Sequence, residues 1–235
     1  MIDEQKLRRS AALYHVQLDD KMLGQFSLYA GLLLEWNKRM NLTSITDPDE
    51  IVVKHFVDSL ILLPHIKESG AHIIDVGTGA GLPGIPLKIA CPGLEMTLLD
   101  SQRKRVGFLE MVSRALGLSM DCVHGRAEDV ARDGAYREVF DYALARAVAP
   151  LPVLSEYCLP FVRVNGFFMA CKGPDVKEEL EGASSAFRKL GSQLLSLDHL
   201  TLPNDHSRSL VLIKKISRIS TKYPRKPAQI IKTPL

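Results

Sequence analysis

The pattern of apolar and polar residues changes near residue 70. Residues 3 to 65 show helical periodicity and no strand pattern. Apolar side chains there recur at the three- and four-residue spacing of one buried helix face. The clearest series is Leu23, Phe26, Ala30 and Leu33. The amino-terminal quarter of the chain is therefore predicted to be helical.

A second helix in this part of the chain is predicted to begin at Asp47. Asp47 can cap the helix, Pro48 suits its first turn, and Glu50 stands three residues after the cap, as in a capping box. Pro64 limits the helix at its far end.

From residue 71 onwards, short apolar runs alternate with helix-compatible stretches. The runs are HIIDVG, EMTLLD, MDCVHG, FDYALARA and GFFMACKG. Such near-continuous apolar strands predict a parallel sheet covered on both faces. Two further strands, 193 to 201 and 208 to 216, flank the turn-rich Pro203-Asn204-Asp205 and predict a closing hairpin with an antiparallel last strand.

The predicted fold class is α/β. It is a Rossmann-like, mostly parallel, seven-stranded sheet with helices on both faces and an N-terminal helical extension. Within one structural domain we expect a helical cap over residues 1–66, the sheet-based core over 67–217 and a basic C-terminal tail over 218–235.

Composition narrows the class of protein. Apolar residues make up 46% of the chain and charged residues 24%, as in soluble globular proteins. No apolar run reaches the roughly 18 residues that cross a bilayer, and MIDEQKLRRS has acids where a signal peptide needs basic and then apolar residues. We expect a cytoplasmic protein with no membrane contact. Four dispersed cysteines and scattered histidines predict no disulfide framework and no metal site.

Positive charge is concentrated at the C-terminus. The net charge is +3, but residues 214–235 contain seven Lys and Arg and no acid. The tail also contains Tyr223-Pro224-Arg225-Lys226-Pro227, an aromatic ring beside cations, which favours RNA as the partner. We expect Lys214, Lys215, Arg225 and Lys226 to contact RNA phosphates. The alternative is a solvated tail with no partner.

The strongest motif is the stretch from Asp75 to Gly84, DVGTGAGLPG, predicted to join the first strand to a helix. Its glycines allow a sharp turn and close approach of a ligand, and this edge of the sheet is where nucleotides bind. Gly79-x-Gly81-x-x-Gly84 fits the dinucleotide pattern. However, Pro83 lacks the N–H that a phosphate needs, and Asp75 would repel it. A cationic ligand without phosphate, S-adenosylmethionine (SAM), fits better, with Asp75, Gly77, Gly79 and Gly81 shaping its loop.

Two later strand ends complete the predicted cofactor site. Asp100 ends the second strand, 25 residues after Asp75, where a carboxylate can accept hydrogen bonds from both ribose hydroxyls. Asp100 could alternatively only cap the following helix. The loop at residues 125–129, after the third strand, is expected to hold the adenine.

The predicted acceptor side lacks two familiar signatures. The fourth strand ends in Ala145-Arg146-Ala147-Val148-Ala149 rather than in an Asn/Asp-Pro-Pro-aromatic motif, and no Pro-Cys pair offers a nucleophile. Guanine N7 remains a suitable acceptor, because its lone pair takes a methyl group by alignment alone. Arg146 could contact guanine O6 or orient the cofactor, and Lys172 ends the fifth strand at the same mouth. Either could instead be a plain surface charge.

Together these motifs identify a family. The chain resembles the RsmG (GidB) family of bacterial 16S ribosomal RNA guanine-N7 methyltransferases over nearly its whole length. The similarity is carried by Trp36-Asn37-Lys38, Asn41-Leu42-Thr43, His55-Phe56-Val57-Asp58-Ser59, the glycine loop with its Leu-Pro-Gly continuation, Leu99-Asp100-Ser101, Ala145-Arg146-Ala147, Lys172-Gly173 and Tyr223-Pro224-Arg225-Lys226.

The resemblance implies a class I SAM-dependent methyltransferase fold and direct methyl transfer to N7 of guanine 527 in 16S RNA. The RNA would be naked or within a small-subunit particle, and the protein a monomer. The family's cofactor contacts would fall on Gly77, Leu82, Ala127, Glu128 and Arg146, with Asp100 on the ribose. Three alternatives stay open at this point: a small-molecule methyltransferase, a non-catalytic SAM- or nucleotide-binding regulator and, more distantly, a NAD-dependent enzyme.

Overall fold

The computed structural model describes residues 1–146 and 149–235. In these ranges seven strands form one sheet in the order β3-β2-β1-β4-β5-β7-β6. The strands are β1 (His72–Val76), β2 (Glu95–Asp100), β3 (Asp121–His124), β4 (Phe140–Arg146), β5 (Val162–Lys172), β6 (Ser192–Leu202) and β7 (His206–Lys215). The first five strands run parallel, and β7 is antiparallel to both β5 and β6. The predicted mostly parallel sheet with a closing hairpin is confirmed.

Helices connect the strands and precede them. They are α1 (Glu4–Ala12), α2 (Asp20–Met40), α3 (Pro48–Ile51), α4 (Asp58–Leu60), α5 (Gly84–Ala90), α6 (Arg103–Leu116), α7 (Ala127–Val130), α8 (Leu151–Cys158), α9 (Lys177–Lys189) and α10 (Pro227–Lys232). A π-helical segment, Val52–Val57, joins α3 to α4, and a 3₁₀ turn covers Leu63–His65. In the described residues no helix combines the length and hydrophobicity that a membrane span requires.

The start of α3 follows the prediction in part. The Asp47 side chain accepts hydrogen bonds from the amides of Asp49 and Glu50, as a helix cap does. Glu50 does not close a capping box, because its carboxylate accepts a hydrogen bond from Lys54 one turn later. Asp47 therefore sets the helix start on its own.

The sheet is covered on both faces because neighbouring residues of a strand point to opposite sides. Ile73 of β1 lies in one apolar core with α2, α5 and α6, whereas Ile74 lies in a second core with α8 and α9. The helix-face series predicted in α2 is buried in the first core, where Phe26 packs on Phe56 with ring centroids 4.9 Å apart. The N-terminal helices thus share a core with the sheet.

The C-terminal tail folds back on the sheet. Ile219 and Tyr223 are buried in the second core, and Ile230 of α10, a helix that contacts α8, is also buried. The division of the chain at residues 66 and 217 stays a prediction.

Candidate active site

The loop after β1 is held by buried polar groups. Gly77, Gly79 and Gly81 have φ angles of 71°, 62° and 95°, which side chains with a Cβ rarely adopt. The Asp75 carboxylate accepts hydrogen bonds from the Thr78 hydroxyl at 2.6 Å and from the Gly84 amide at 2.8 Å. Asp75 therefore ties the two ends of the loop together.

Burial governs the chemistry of Asp75. Its side chain is fully buried, and burial raises the pKa of the carboxyl to about 6, although the hydrogen bonds and the Arg146 charge oppose the rise. One carboxylate oxygen, Oδ1, has no hydrogen-bond partner among the described residues. Leu82, in the same turn, is also buried. Asp75 and Leu82 therefore support the loop from the protein interior.

Asp100 joins the glycine loop to the second strand end. Its carboxylate accepts a hydrogen bond from the Gly79 amide at 3.0 Å and another from the Gln102 amide at 2.8 Å. The bond to Gln102 lies in the turn that begins α6, and the bond to Gly79 holds the glycine loop. Asp100 therefore supports the start of α6 and the loop at the same time. A carboxylate has about four acceptor positions, so Asp100 keeps capacity for a ligand.

A cavity of about 180 Å³ lies at the carboxyl ends of β1, β2 and β3. Its lining includes Gly77, Asp100, Ala127 and Glu128, which the sequence predicted to bind the cofactor from separate loops. Glu128 is only 5% exposed, and its Oε1 atom has no hydrogen-bond partner among the described residues. A buried acceptor without a donor matches an adenosine group, which supplies amine and hydroxyl donors.

A second cavity, of about 370 Å³, lies at the carboxyl ends of β4 and β5. Arg146 and Lys172, the last residues of those strands, both line it. The two cavities lie on either side of the point where the strand order reverses, between β1 and β4. Ligands of open α/β sheets bind at this kind of switch point.

Two arginines in the second cavity share one carboxylate. Arg146 lies 3.1 Å from one oxygen of Asp58, and Arg208 of β7 lies 2.8 Å from the other. Arg146 also donates to the carbonyl of Lys54. The Asp58 side chain is 5% exposed, so this ion network lies in a low-dielectric setting and holds its geometry.

Lys172 is also restrained. Its ammonium lies 2.7 Å from the Glu179 carboxylate and donates to the carbonyl of Ala149. Ala147 and Val148, which belong to the predicted strand-end motif, lie outside the described residues.

Comparison with known proteins identifies the family. A family model described as GidB, rRNA small subunit methyltransferase G, matches residues 22–211. A Ribosomal RNA small subunit methyltransferase G from Alkaliphilus metalliredigens is 51% identical over 222 residues, which are 93% of this chain and 92% of that protein. The enzyme of the same name from Clostridium botulinum is 43% identical over 97% of both chains. The chain belongs to the rRNA small subunit methyltransferase G family.

Solved structures support the fold independently of sequence. A SAM-dependent methyltransferase from Aquifex aeolicus superposes with a TM-score of 0.54 at 16% identity, over 74% of this chain and 96% of that one. The M. jannaschii TYW2 structure in complex with AdoMet gives a TM-score of 0.52 at 14% identity, over 66% and 73% of the two chains. The Rossmann-like methyltransferase fold expected for the family is confirmed.

The four lysines and arginines predicted to contact RNA occupy different settings. Lys215 is fully buried: its ammonium lies 2.8 Å from Glu138 and donates to the carbonyls of Leu159 and Val162. The prediction that Lys215 contacts RNA is wrong, because a buried and paired ammonium cannot reach a phosphate. The charge pattern of the sequence did not separate buried from exposed lysines.

Arg225 also has an intramolecular partner, the buried carboxylate of Glu156. Lys214 is half-buried and pairs in register with Phe167, five positions before Lys172 on β5, or about 16 Å along the strand. It therefore lies away from the edge that carries the cavities. Lys226 is exposed, directly before Pro227, which lines the smaller cavity. RNA contacts by Lys214, Arg225 and Lys226 stay predictions. The exposed position of Lys226 beside the cavity favours the contact predicted for that residue.

Sequence reasoning missed two contributors to the site. Arg208 was not predicted, because nothing local in β7 announces its partner 150 residues earlier. Tyr29 of α2 is fully buried and donates its hydroxyl to the Ala80 carbonyl at 2.6 Å, so the N-terminal helix supports the glycine loop. A polar tip on an otherwise apolar helix face was the only available signal for Tyr29.

His55 is held neutral beside the second cavity. Burial and the Arg146 charge lower the pKa of its imidazole to about 4. The Nε2 atom of His55 lies 2.8 Å from the Thr43 hydroxyl. His55 belongs to the π-helical segment Val52–Val57, and such segments are frequent at functional sites.

Another cavity lies away from the candidate site. It has a volume of about 460 Å³ and is lined by His72, Glu95 and Asp121, the first residues of their strands, so it lies at the opposite edge of the sheet from the glycine loop. Residues 1–146 and 149–235 contain no group of three or more His, Cys, Asp or Glu that could hold a metal ion.

Proposed function

We propose that the protein transfers the methyl group of SAM to N7 of guanine 527 in 16S ribosomal RNA. The supporting observation is the pair of cavities at one sheet edge in a chain that belongs to the rRNA small subunit methyltransferase G family. The smaller cavity is lined by Glu128, one oxygen of which has no partner among the described residues, and the other cavity is lined by basic side chains. Relatives from Alkaliphilus and Clostridium carry the name of the same methyltransferase.

The smaller cavity is the cofactor site. Asp100 and Glu128 offer carboxylate oxygens to the hydroxyl and amine donors of adenosine, while Gly77 and Ala127 leave room beside them. Asp75, Gly79, Gly81 and Leu82 keep the loop in the shape that this requires. When bound, SAM would supply a methyl group attached to a positively charged sulfur. A nitrogen with an uncharged lone pair can accept that methyl group.

The second cavity is the guanine site. Both of its carboxylates are occupied by ion pairs, Asp58 with two arginines and Glu179 with Lys172, so neither is free to act as a general base. An acceptor that must lose a proton would need a free base here. Guanine N7 carries an in-plane lone pair and needs only alignment, so direct in-line transfer fits these groups.

Arg146 and Lys172 are the positioning residues of this site. A guanidinium can donate to guanine O6, and the bond to Asp58 fixes where the Arg146 donors point. Lys172 places a second donor at the same mouth, held by Glu179. Neither residue needs to accept a proton for N7 transfer.

RNA is the substrate that the charge of this edge favours. Four basic side chains, those of Lys54, Arg146, Lys172 and Arg208, line the second cavity, and Arg126 lines the smaller one. Such a surface attracts phosphates without reading sequence. We propose that the protein acts as a monomer in the cytoplasm on the RNA of the small subunit.

Transfer of labelled methyl groups from SAM tests this function. Ribosomal RNA from cells that lack the enzyme would be incubated with the protein, and incorporation measured separately in 16S and 23S RNA. We expect label in 16S RNA alone. SAM binding without label in either RNA would contradict the proposed substrate.

A further inference from the structure

The C-terminal segment, residues 219–235, reaches the cofactor cavity. Two residues of its helix α10, Pro227 and Ile231, line the cavity together with Val76 and Leu99 of the sheet and Tyr157 of α8. Ile231 is 66% exposed although it is a large aliphatic residue, whereas the adjacent Ile230 is fully buried. Ile230 therefore fixes the helix to the core, and Ile231 is left free beside the cavity.

A buried ion pair fixes the start of this segment. Glu156 of α8 is fully buried, and both of its oxygens accept hydrogen bonds from Arg225. The backbone amide of Arg225 donates to the same carboxylate at 2.7 Å. The Arg225 guanidinium is thus the partner that a buried carboxylate requires, and it positions the chain two residues before α10.

Two further arginines hold the segment through its backbone. Arg137 donates to the carbonyls of Ile219 at 3.3 Å and Tyr223 at 3.0 Å. Arg132 donates to the carbonyl of Pro224. These contacts fix the chain immediately before α10.

The lining of the cavity combines apolar walls with a few acceptors. Val76, Leu99, Ala127, Pro227 and Ile231 supply the apolar part, and Asp100 and Glu128 supply carboxylate oxygens. The Glu128 oxygen that lacks a partner among the described residues is an independent sign that a donor-bearing ligand belongs here. An aromatic base with an amine, attached to a ribose, has this chemistry.

We propose that helix α10 is part of the adenosine-binding site, and that Ile231 and Pro227 are cofactor-binding residues. Their role is to remove apolar surface of the adenosine group from water, next to the acceptors that orient it. Pro227 and Ile231 of the basic tail then form a preformed wall of the cofactor site, while exposed cations of the tail such as Lys226 remain available to RNA. The inference rests on the proposed function insofar as it takes SAM to be the ligand.

Cofactor affinity tests the role of Ile231. Isothermal titration would give the Kd for SAM, and for adenosine alone, with the wild-type protein, Ile231→Ser and the matched control Ile216→Ser. Ile216 is 49% exposed and lies outside the cavity, so both variants change an exposed isoleucine in the same way. We expect Ile231→Ser to raise both Kd values about tenfold and Ile216→Ser to change them by less than about twofold.

Hydrogen exchange of the wild-type protein provides a second readout that needs no variant. Saturation with SAM is expected to slow amide exchange in residues 227–232, because the ligand adds contacts to α10. Equal Kd values for the two variants, or unchanged exchange in α10 with SAM bound, would overturn this inference alone. Failure of the wild-type protein to bind SAM would overturn the proposed function as well.

Discussion

The guanidinium of Arg146 lies 3.1 Å from the carboxylate of Asp58. This contact joins the carboxyl end of β4 to the N-terminal helical segment, 88 residues earlier in the chain. Because Arg208 binds the other oxygen of Asp58, three distant parts of the sequence meet at the proposed guanine site. Asp58 therefore links the packing of these three parts to the geometry of the proposed guanine site.

Replacement of Asp58 is expected to destabilise the fold. Asp58→Ala leaves two largely buried guanidinium groups without their carboxylate, so the free energy of unfolding should fall by about 3 kcal/mol. Urea unfolding would measure the change. Glu50→Gln is the control, since it breaks an exposed pair with Lys54 and should cost less than about 1 kcal/mol. Equal effects of the two substitutions would contradict the network described here.

The ribose-binding role proposed for Asp100 predicts that its replacement weakens cofactor binding. Asp100→Ala removes an acceptor from the cavity and releases the Gly79 amide, so the Kd for SAM should rise by about tenfold or more. Glu95→Ala, at the exposed start of the same strand, should leave the Kd unchanged. A similar Kd for wild type and Asp100→Ala, measured by isothermal titration, would remove Asp100 from the proposed site.

Alanine substitutions of Lys215 and Lys226 are expected to affect different properties: the first the stability of the fold, the second the affinity for RNA. Lys215→Ala leaves Glu138 without its ammonium partner and should lower stability by about 3 kcal/mol. Lys226→Ala alters an exposed side chain and should leave stability within about 0.5 kcal/mol, yet weaken RNA binding and reduce its salt slope by about one. Thermal unfolding and RNA titrations at several salt concentrations would check both. An unchanged salt slope for Lys226→Ala would mean that Lys226 contacts no phosphate.

The buried imidazole of His55 predicts a specific pH dependence. Its pKa is lowered from 6.5 to about 4 in the folded protein, so between these values the unfolded chain binds more protons. The contribution of neutral His55 to stability is therefore fully present above pH 6.5 and decreases as the pH falls towards 4. Unfolding free energies of wild type and His55→Gln at pH 7.5 and pH 5 should converge at the lower pH. A constant difference between them would show that His55 does not titrate in this way.

The sequence predicted the parts of the site that depend on neighbouring residues. The glycine loop was recognised because its turn and its hydrogen bonds, such as Thr78 to Asp75, lie within a few positions. The mostly parallel sheet, the closing hairpin and the placement of Asp100 and Ala127 at one edge then follow from general rules of parallel sheets.

Contacts between distant residues were not predictable in the same way. The charge pattern predicts RNA contacts for Lys215 and Arg225 because it does not reveal their carboxylate partners, Glu138 and Glu156, which lie 77 and 69 residues away in the chain. Burial decides the role of each charge, and local composition carries little information about burial. The charge pattern therefore predicts an RNA-binding arm, whereas Ile219, Tyr223 and Ile230 of the tail are buried and Arg225 pairs with Glu156 of α8.

The central claim is the chemical identity of the product. We would incubate the protein with SAM and 16S RNA from cells lacking the enzyme, offered both as bare RNA and as 30S particles. The RNA would then be digested to nucleosides and analysed by mass spectrometry. The account predicts one 7-methylguanosine per 16S molecule in at least one of the two substrates. A methyl group on any other atom, or the absence of new methylation in both substrates, would contradict it.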